Sequence, residues 1–328
     1  LTAGATRSMD TLFIVLPCFN ESAGLSRFWQ DLEYQLKKIQ QQENLKTVSI
    51  FVDDGSTDST WNIITELRAT PETEVIGLRL VKNFGHQAAI QAGCERIVRH
   101  PNYDAKSLIV IMDSDGQHPP EAISGMITQL RSGARHIQMV RQERTYSWWK
   151  RTSSNAFYRC FRFLSDIEMP AGAADFRGFT GAVLANYLKF GETGRFNRGL
   201  FYLADPPEFT PYEVQPRKFG TSKYSVRAMM RFAFFGLTYF SNRPLLLVSL
   251  ASAVFGFLVC VAYISYMVRS YLNGIAFQPG WFTIIAWVSF WGMLLSFCIL
   301  LMSVYLARVF EETKKRPVYL IREETQSA

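Results

Sequence analysis

"LIVIMDSDGQHPPEAI", residues 108–123, decides how the rest of the chain is read. An apolar run ends at Asp113; Asp115 follows one residue later, then Gln117, His118 and two prolines. A buried strand that stops at two close carboxylates suits a strand whose carboxyl end opens on a crevice, because ligands of open α/β sheets bind outside those ends. Carboxylates at this spacing can share one hard cation, or one can take the cation and the other a hydroxyl. Mg2+ and Mn2+ prefer oxygen ligands and are often completed by substrate phosphates. Gln117 can add a carbonyl oxygen. The same residues also suit a loop in which Asp and Gly only satisfy turn geometry, and the spacing alone does not choose.

Working outward, apolar runs alternate with amphipathic ones. Strands are predicted at "TLFIVLP" (11–17), "TVSIFVDD" (47–54), "EVIGLRLV" (74–81), "SLIVIMD" (107–113) and "HIQMVR" (136–141), with helices near 23–42, 60–69, 86–99 and 121–132. Such alternation predicts right-handed crossovers and an α/β fold with a Rossmann-like, mostly parallel sheet. Chemistry-bearing residues should then gather at strand ends, and they do: "PCFNE" (17–21), "DDGSTD" (53–58), "KNFGHQ" (82–87) and "DSDGQ" (113–117). Helix capping accounts for Ser56 to Asp58 but not for two carboxylates at Asp53 and Asp54. An Asp there can bind ribose hydroxyls or the imide N–H of a uracil. Asn20 and Glu21 suit a base or ribose, or equally a proline turn with an Asn cap. His86 reads as a polar residue of a first helical turn before it reads as catalytic.

The second half differs. Residues 245–267 and 281–307 carry no charge. At a rise of about 1.5 Å per residue each can cross a hydrocarbon core of about 30 Å. Arg227, Arg231 and Arg243 precede the first, Arg308, Lys314, Lys315 and Arg316 follow the second, and the loop between them carries only Arg269. Positive-inside bias puts both ends and the α/β domain in the cytoplasm, as a multi-pass protein of the cell membrane. Residues 145–164 and 224–240 mix aromatics with Arg and Lys and read as helices lying in the membrane surface, or as ordinary helices packed on the α/β domain. The expected division is a remnant outside the fold at 1–8, ahead of Met9, a catalytic domain at 9–225, an interfacial helix at 226–243, a transmembrane hairpin at 244–310 and a cytoplasmic tail at 311–328.

The net charge of +7 sits beside the apolar segments, which suits lipid headgroups and phosphates better than nucleic acid. Five cysteines show no metal-ligand spacing and read as small buried hydrophobes in a reducing compartment. The absence of GxSxG, Walker lysine, HExxH and GxGxxG motifs disfavours triad hydrolysis and P-loop chemistry.

"PCFNE", "VDDGSTD", "KNFGHQAAIQAG", "DSDGQHPPE" and "RKFGTSKYS" (217–225) occur in the order found in family 2 glycosyltransferases. From residue 10 to about 310 the chain resembles the polyprenyl-phosphate hexosyltransferases among them, of the bactoprenol glucosyltransferase and dolichyl-phosphate mannose synthase kind. The resemblance implies a GT-A fold and a nucleotide-sugar donor, UDP-glucose before UDP-N-acetylglucosamine, UDP-4-amino-arabinose derivatives or GDP-mannose. It implies that Pro17, Asn20, Glu21, Asp53, Asp54 and Lys82 hold the nucleotide. Asp113, Asp115 and Gln117 would surround Mg2+ or Mn2+ and the diphosphate. Arg217, Lys223 and Arg141 would meet phosphates, and Arg151 would help place the acceptor. Asp113, Asp115, Arg217 and Lys223 are the implied catalytic set, and polyprenyl (undecaprenyl) phosphate the implied acceptor; pairing with a second copy of the chain is left open.

Three stretches depart from the family pattern. The usual "DADLQ" is Asp113-Ser114-Asp115-Gly116-Gln117. "DFRGFTG" (175–181) keeps Asp175, Phe176 and Arg177 but has Thr180 and Gly181 where an acid and a base commonly follow. "GRFNRGLFYLADPPEF" (194–209) loses a tryptophan-glycine piece. Competing readings are a processive polysaccharide synthase, disfavoured by the missing QxxRW motif, a lipid transporter, disfavoured by spans nearly free of polar groups, and a non-catalytic scaffold, disfavoured by the strand-end carboxylates.

Overall fold

The computed structural model describes residues 10–67, 73–142, 173–192, 196–213, 243–273 and 280–327. They fall into two compact units. The larger is built on one eight-stranded sheet. Its strands are β1 (Thr11–Cys18), β2 (Lys46–Asp53), β3 (Thr73–Leu80), β4 (Leu108–Ile111), β5 (His136–Gln142), β6 (Ala173–Thr180), β7 (Glu208–Glu213) and β8 (Ile321–Ser327), in the spatial order β7-β5-β6-β4-β1-β2-β3-β8. The central four, β4-β1-β2-β3, run parallel. The helices between them are α1 (Leu25–Glu43), α2 (Thr60–Glu66), α3 (His86–Val98) and α4 (Ala122–Arg131).

The five predicted strands and four predicted helices of the first half are all present. β1 is buried at every position and reads as an unbroken apolar run, as a central parallel strand must. α1 buries Leu25, Phe28, Trp29, Leu32, Leu36 and Ile39, a three-and-four spacing that turns one stripe to the sheet. Its end is set by Asn44, whose left-handed backbone (φ 50°) lets its N–H return to the Gln40 carbonyl.

The sheet is more mixed than the alternation predicts. β6 inserts antiparallel between β4 and β5, followed by α5 (Gly181–Tyr187), α6 (Asn197–Ala204) and β7. β8 adds antiparallel to β3. The separate tail expected from residue 311 is therefore corrected: the last long helix runs on to Thr313, and 321–327 complete the sheet.

The second unit holds α7 (Arg243–Leu272) and α8 (Trp281–Thr313). Both are long and apolar enough to cross a membrane. Phe257 is 68% exposed and Leu306 69%, so apolar side chains point outward from this pair. A water-facing helix would carry polar residues there. Ser265, Ser296 and Ser303 each return their hydroxyl to the carbonyl four residues back, so these three donors are met within their own helices. The surface helices expected at 145–164 and 224–240 lie outside the described residues.

Candidate active site

Four parallel strands deliver their carboxyl-end loops side by side. After β1, Asn20 takes a left-handed backbone (φ 55°) and its side-chain oxygen accepts the Thr57 N–H at 2.9 Å, while its own N–H donates to Ser56 Oγ at 2.9 Å. The Glu21 N–H donates to Thr60 Oγ1. The first two loops are thus laced together, and Asn20 is the lace.

The paired acids after β2 divide their work. Asp53 is fully buried; one oxygen accepts the Ser56 N–H at 3.0 Å and the other faces Arg79 Nε at 3.6 Å. Asp54 accepts the Phe84 and Gly85 N–H groups at 2.7 and 2.9 Å, clamping the loop after β3. Burial raises both carboxyls above their usual range, against the pull of those hydrogen bonds. Gly55 (φ +68°) lets these loops touch, since a Cβ there would run into the Lys82 backbone. Lys82 itself lies over the Phe84 ring, its ammonium 5.3 Å from the ring centre.

After β4, Ser114 is buried and donates its hydroxyl to the Pro17 carbonyl at 2.9 Å, tying this loop to the end of β1. Gly116 adopts φ +76° with open space where a Cβ would stand, so the demand there is conformational. The turn it makes lets Asp115 Oδ1 accept the Gln117 N–H at 3.0 Å. Ser114 and Gly116, the departures from the family pattern, therefore have physical reasons: a tie and a turn. Gly116→Ala should cost about 1–2 kcal/mol through the left-handed backbone alone, read as a lowered melting temperature.

Asp113 meets a different set of groups. Its N–H donates to His118 Nδ1 at 2.9 Å, and its buried Oδ1 has no hydrogen-bond partner among the described residues, the nearest cation being His86 Nε2 at 3.5 Å. His118 is wholly buried and stacked on Phe176 at 4.7 Å; burial holds its imidazole below the usual value in spite of Asp113 and Asp115. Arg141 Nε donates to Tyr212 Oη at 3.3 Å, and burial raises the Tyr212 phenol against the pull of Arg141.

Behind this front lies a charged network that sequence reading did not assemble. Asp175 on β6 is held in two-pronged fashion by Arg198, Nε to Oδ1 and NH2 to Oδ2 at 3.0 Å each, and by Arg177 NH2 at 3.1 Å. Arg198 is placed by α6, whose first residue Asn197 bonds both the side chain and the carbonyl of Gln87 in α3 and accepts the Tyr187 hydroxyl. His86, on the first turn of α3, lies between Asp175 (3.4 Å) and Asp113. Burial works against its charge, but the two carboxylates outweigh it and raise its pKa to about 9. Asp175 is held well below the usual carboxylate range because Arg198, then His86, outweigh the cost of burying it. The signal available earlier was the retained "DFR" and "NRG" segments, but only the fold shows that they meet.

Residues 13–191 match Glycosyl transferase family 2. The chain belongs to that family. Among curated relatives, this glycosyltransferase is 31% identical to the uncharacterized glycosyltransferase YkoT of Bacillus subtilis (strain 168), covering 96% of this chain and 92% of that one. It is 28% identical to the prophage bactoprenol glucosyl transferase homolog of Escherichia coli (strain K12), over 94% and 97%. It is 26% identical to the undecaprenyl-phosphate 4-deoxy-4-formamido-L-arabinose transferase of Proteus mirabilis (strain HI4320), over 96% and 94%.

The loops of the glycosyltransferase bring Pro17, Asn20, Glu21, Asp53, Asp54, Lys82, Asp113, Asp115 and Gln117 to the carboxyl ends of β1 to β4. Arg141 lies on β5 beside β7. Arg151, Arg217 and Lys223 lie outside the described residues. Asp115 and Glu21 also line a cavity of about 330 Å³ with Arg27, Asp31 and Glu121. Among the described residues no three His, Cys, Asp or Glu side chains stand close enough to cage a metal. The buried, unbonded Asp113 Oδ1 with Asp115 nearby in the loop fits a divalent ion of the kind that takes one or two carboxylates and is completed by substrate phosphate.

Proposed function

We propose that this glycosyltransferase moves a hexose, glucose from UDP-glucose, to the phosphate of a polyprenyl (undecaprenyl) phosphate at a membrane surface, with inversion at the anomeric carbon. The observation that carries the reading is the pairing, in one chain, of strand-end acids with two helices apolar enough to cross a bilayer. A polyprenyl chain stays in the bilayer and a nucleotide sugar stays out of it, so an enzyme joining them must work at the headgroup plane. The names of the E. coli and P. mirabilis relatives, which span nearly the whole chain, support the same acceptor class.

The acceptor phosphate supplies its own nucleophile. A phosphate monoester has a second pKa near 6 and is largely dianionic at pH 7, so little help from a general base is required. The protein's task is alignment and charge compensation. Asp53 and the loops laced by Asn20 would hold the nucleotide. Mg2+ or Mn2+ on Asp113, Asp115 and Gln117 would supply Lewis-acid stabilisation of the departing diphosphate. Arg141, Arg217 and Lys223 would reduce repulsion between two anionic reactants, and Arg151 would orient the lipid phosphate. His86, kept charged between Asp113 and Asp175, adds a fixed cation beside the first of the two acids. The arrangement proposed is of the GT-A type, with both ends of the hairpin and the catalytic unit on the cytoplasmic side.

A donor screen tests this. Full-length protein with undecaprenyl phosphate should form lipid-linked sugar with UDP-glucose in preference to UDP-N-acetylglucosamine, UDP-4-amino-arabinose derivatives and GDP-mannose. Preference for another donor would overturn the sugar assignment, and no lipid product with any donor would overturn the acceptor.

A further inference from the structure

Three residues on three neighbouring strands form one row across the sheet: Asp53 of β2 pairs in register with Arg79 of β3, and Arg79 with Glu323 of β8. Directly paired residues project to the same face, so the row reads carboxylate, guanidinium, carboxylate. Arg79 NH1 donates to Glu323 Oε1 at 3.2 Å, while its Nε stays 3.6 Å from Asp53 Oδ2. The other Glu323 oxygen accepts the Trp61 indole N–H at 3.0 Å, and the guanidinium sits 5.7 Å from the Trp61 ring centre. Arg79 is thus held from two sides, and its fork is turned away from Asp53.

The consequence falls on Asp53. It is fully buried, and its Oδ2 has no hydrogen bond among the described residues. At 3.6 Å Arg79 offsets the buried charge without occupying that acceptor. β8 is fixed in place by more than this row: Arg96 pairs with Glu324 at 2.6 Å, the Tyr319 hydroxyl donates to Glu95 at 2.6 Å, and the Val81 N–H donates to the Leu320 carbonyl at 2.9 Å.

We propose that Arg79 is a positioning residue for donor binding: held by Glu323 from the strand that follows the two long helices, it supplies the counter-charge for Asp53 yet leaves the acceptor Asp53 Oδ2 unfilled, to take an N–H or O–H of the nucleotide. The donor site is therefore incomplete without β8. Losing Glu323 frees Arg79 to close on Asp53 and fill the acceptor; losing Arg79 leaves a buried carboxyl with no counter-charge. The inference rests on the reading of Asp53 as a nucleotide contact.

The test is calorimetric titration of UDP onto the full-length protein, for wild type, Asp53→Asn, Arg79→Gln, Glu323→Gln and the Arg79→Gln/Glu323→Gln double variant, with melting temperatures measured alongside. Glu323→Gln keeps an oxygen for Trp61. It should weaken UDP roughly three- to fivefold and raise donor KM in step, with kcat at saturating donor held. Arg79→Gln should weaken UDP by at least about tenfold. Glu323→Gln should add nothing on the Arg79→Gln background, because it acts through Arg79. Wild-type UDP affinity in Glu323→Gln, or an equal further loss in the double variant, would overturn the inference. If Asp53→Asn weakens UDP and the other variants do not, this inference alone falls; if Asp53→Asn binds UDP normally, the nucleotide reading of Asp53 falls and takes the inference with it.

Discussion

Replacing Asp175 with Ala is expected to destabilise the larger unit by about 3–5 kcal/mol, the range for removing one partner of a buried ion pair. Asp175 is 5% exposed and Arg177 1% exposed, so neither charge can turn to water when the other is lost. The variant would strand the buried Arg177 guanidinium, which among the described residues would keep the Phe201 ring face at 4.7 Å, and would take from Arg198 its two bonds of 3.0 Å to the carboxylate. Thermal melts of the detergent-solubilised full chain should show a fall of more than about 6 °C. The pair should also be non-additive, with Arg198→Ala costing less on the Asp175→Ala background than on wild type. A loss under about 1 kcal/mol, the size of an exposed pair, would contradict the network as described.

Asp113→Ala and Asp115→Ala are expected to lower turnover by about 100- to 1,000-fold, the scale of removing a preorganised charge-stabilising group, with a smaller loss of stability than Asp175→Ala causes. Among the described residues Asp113 Oδ1 has no hydrogen bond to lose, and Asp115 gives up the turn bond from the Gln117 N–H. The effect should therefore appear in kcat and in the response to added Mg2+ or Mn2+. Steady-state kinetics over a metal titration, with melting curves as control, checks both. Near-normal, metal-responsive turnover in Asp115→Ala would remove Asp115 from the proposed metal site, and the same result in Asp113→Ala would remove Asp113.

Much of this architecture is legible in the chain because central parallel strands are apolar throughout and their ends are not. Residues 108–112 and the acids behind them announce a strand opening on a crevice. What escapes reading has one physical cause: charge neutralised by partners distant in sequence. β6 carries Asp175 and Arg177 at buried positions, so its pattern looks unlike a core strand until Arg198, 23 residues away, is seen on the same carboxylate. β8, "IREETQS", reads as a solvated tail because its glutamates meet Arg79 of β3 and Arg96 of α3, both far away in sequence. β7 contains Pro211 between charged ends, tolerable at the sheet edge where it lies. The sequence shows Asp53 and Asp113 ending apolar runs, and the fold has both at or just past strand ends. What the sequence does not show is that Asp54 and Asn20 tie neighbouring loops together, because their partners lie about 30 residues or more away.

The measurement that bears most directly on the central claim is acceptor dependence. Full-length protein in lipid vesicles, supplied with radiolabelled UDP-glucose and a divalent cation, should move label into the lipid phase only when polyprenyl phosphate is present, as a β-linked glucosyl phosphate. Label appearing instead on a water-soluble glycan, or released as free glucose at the same rate without the lipid, would contradict the account.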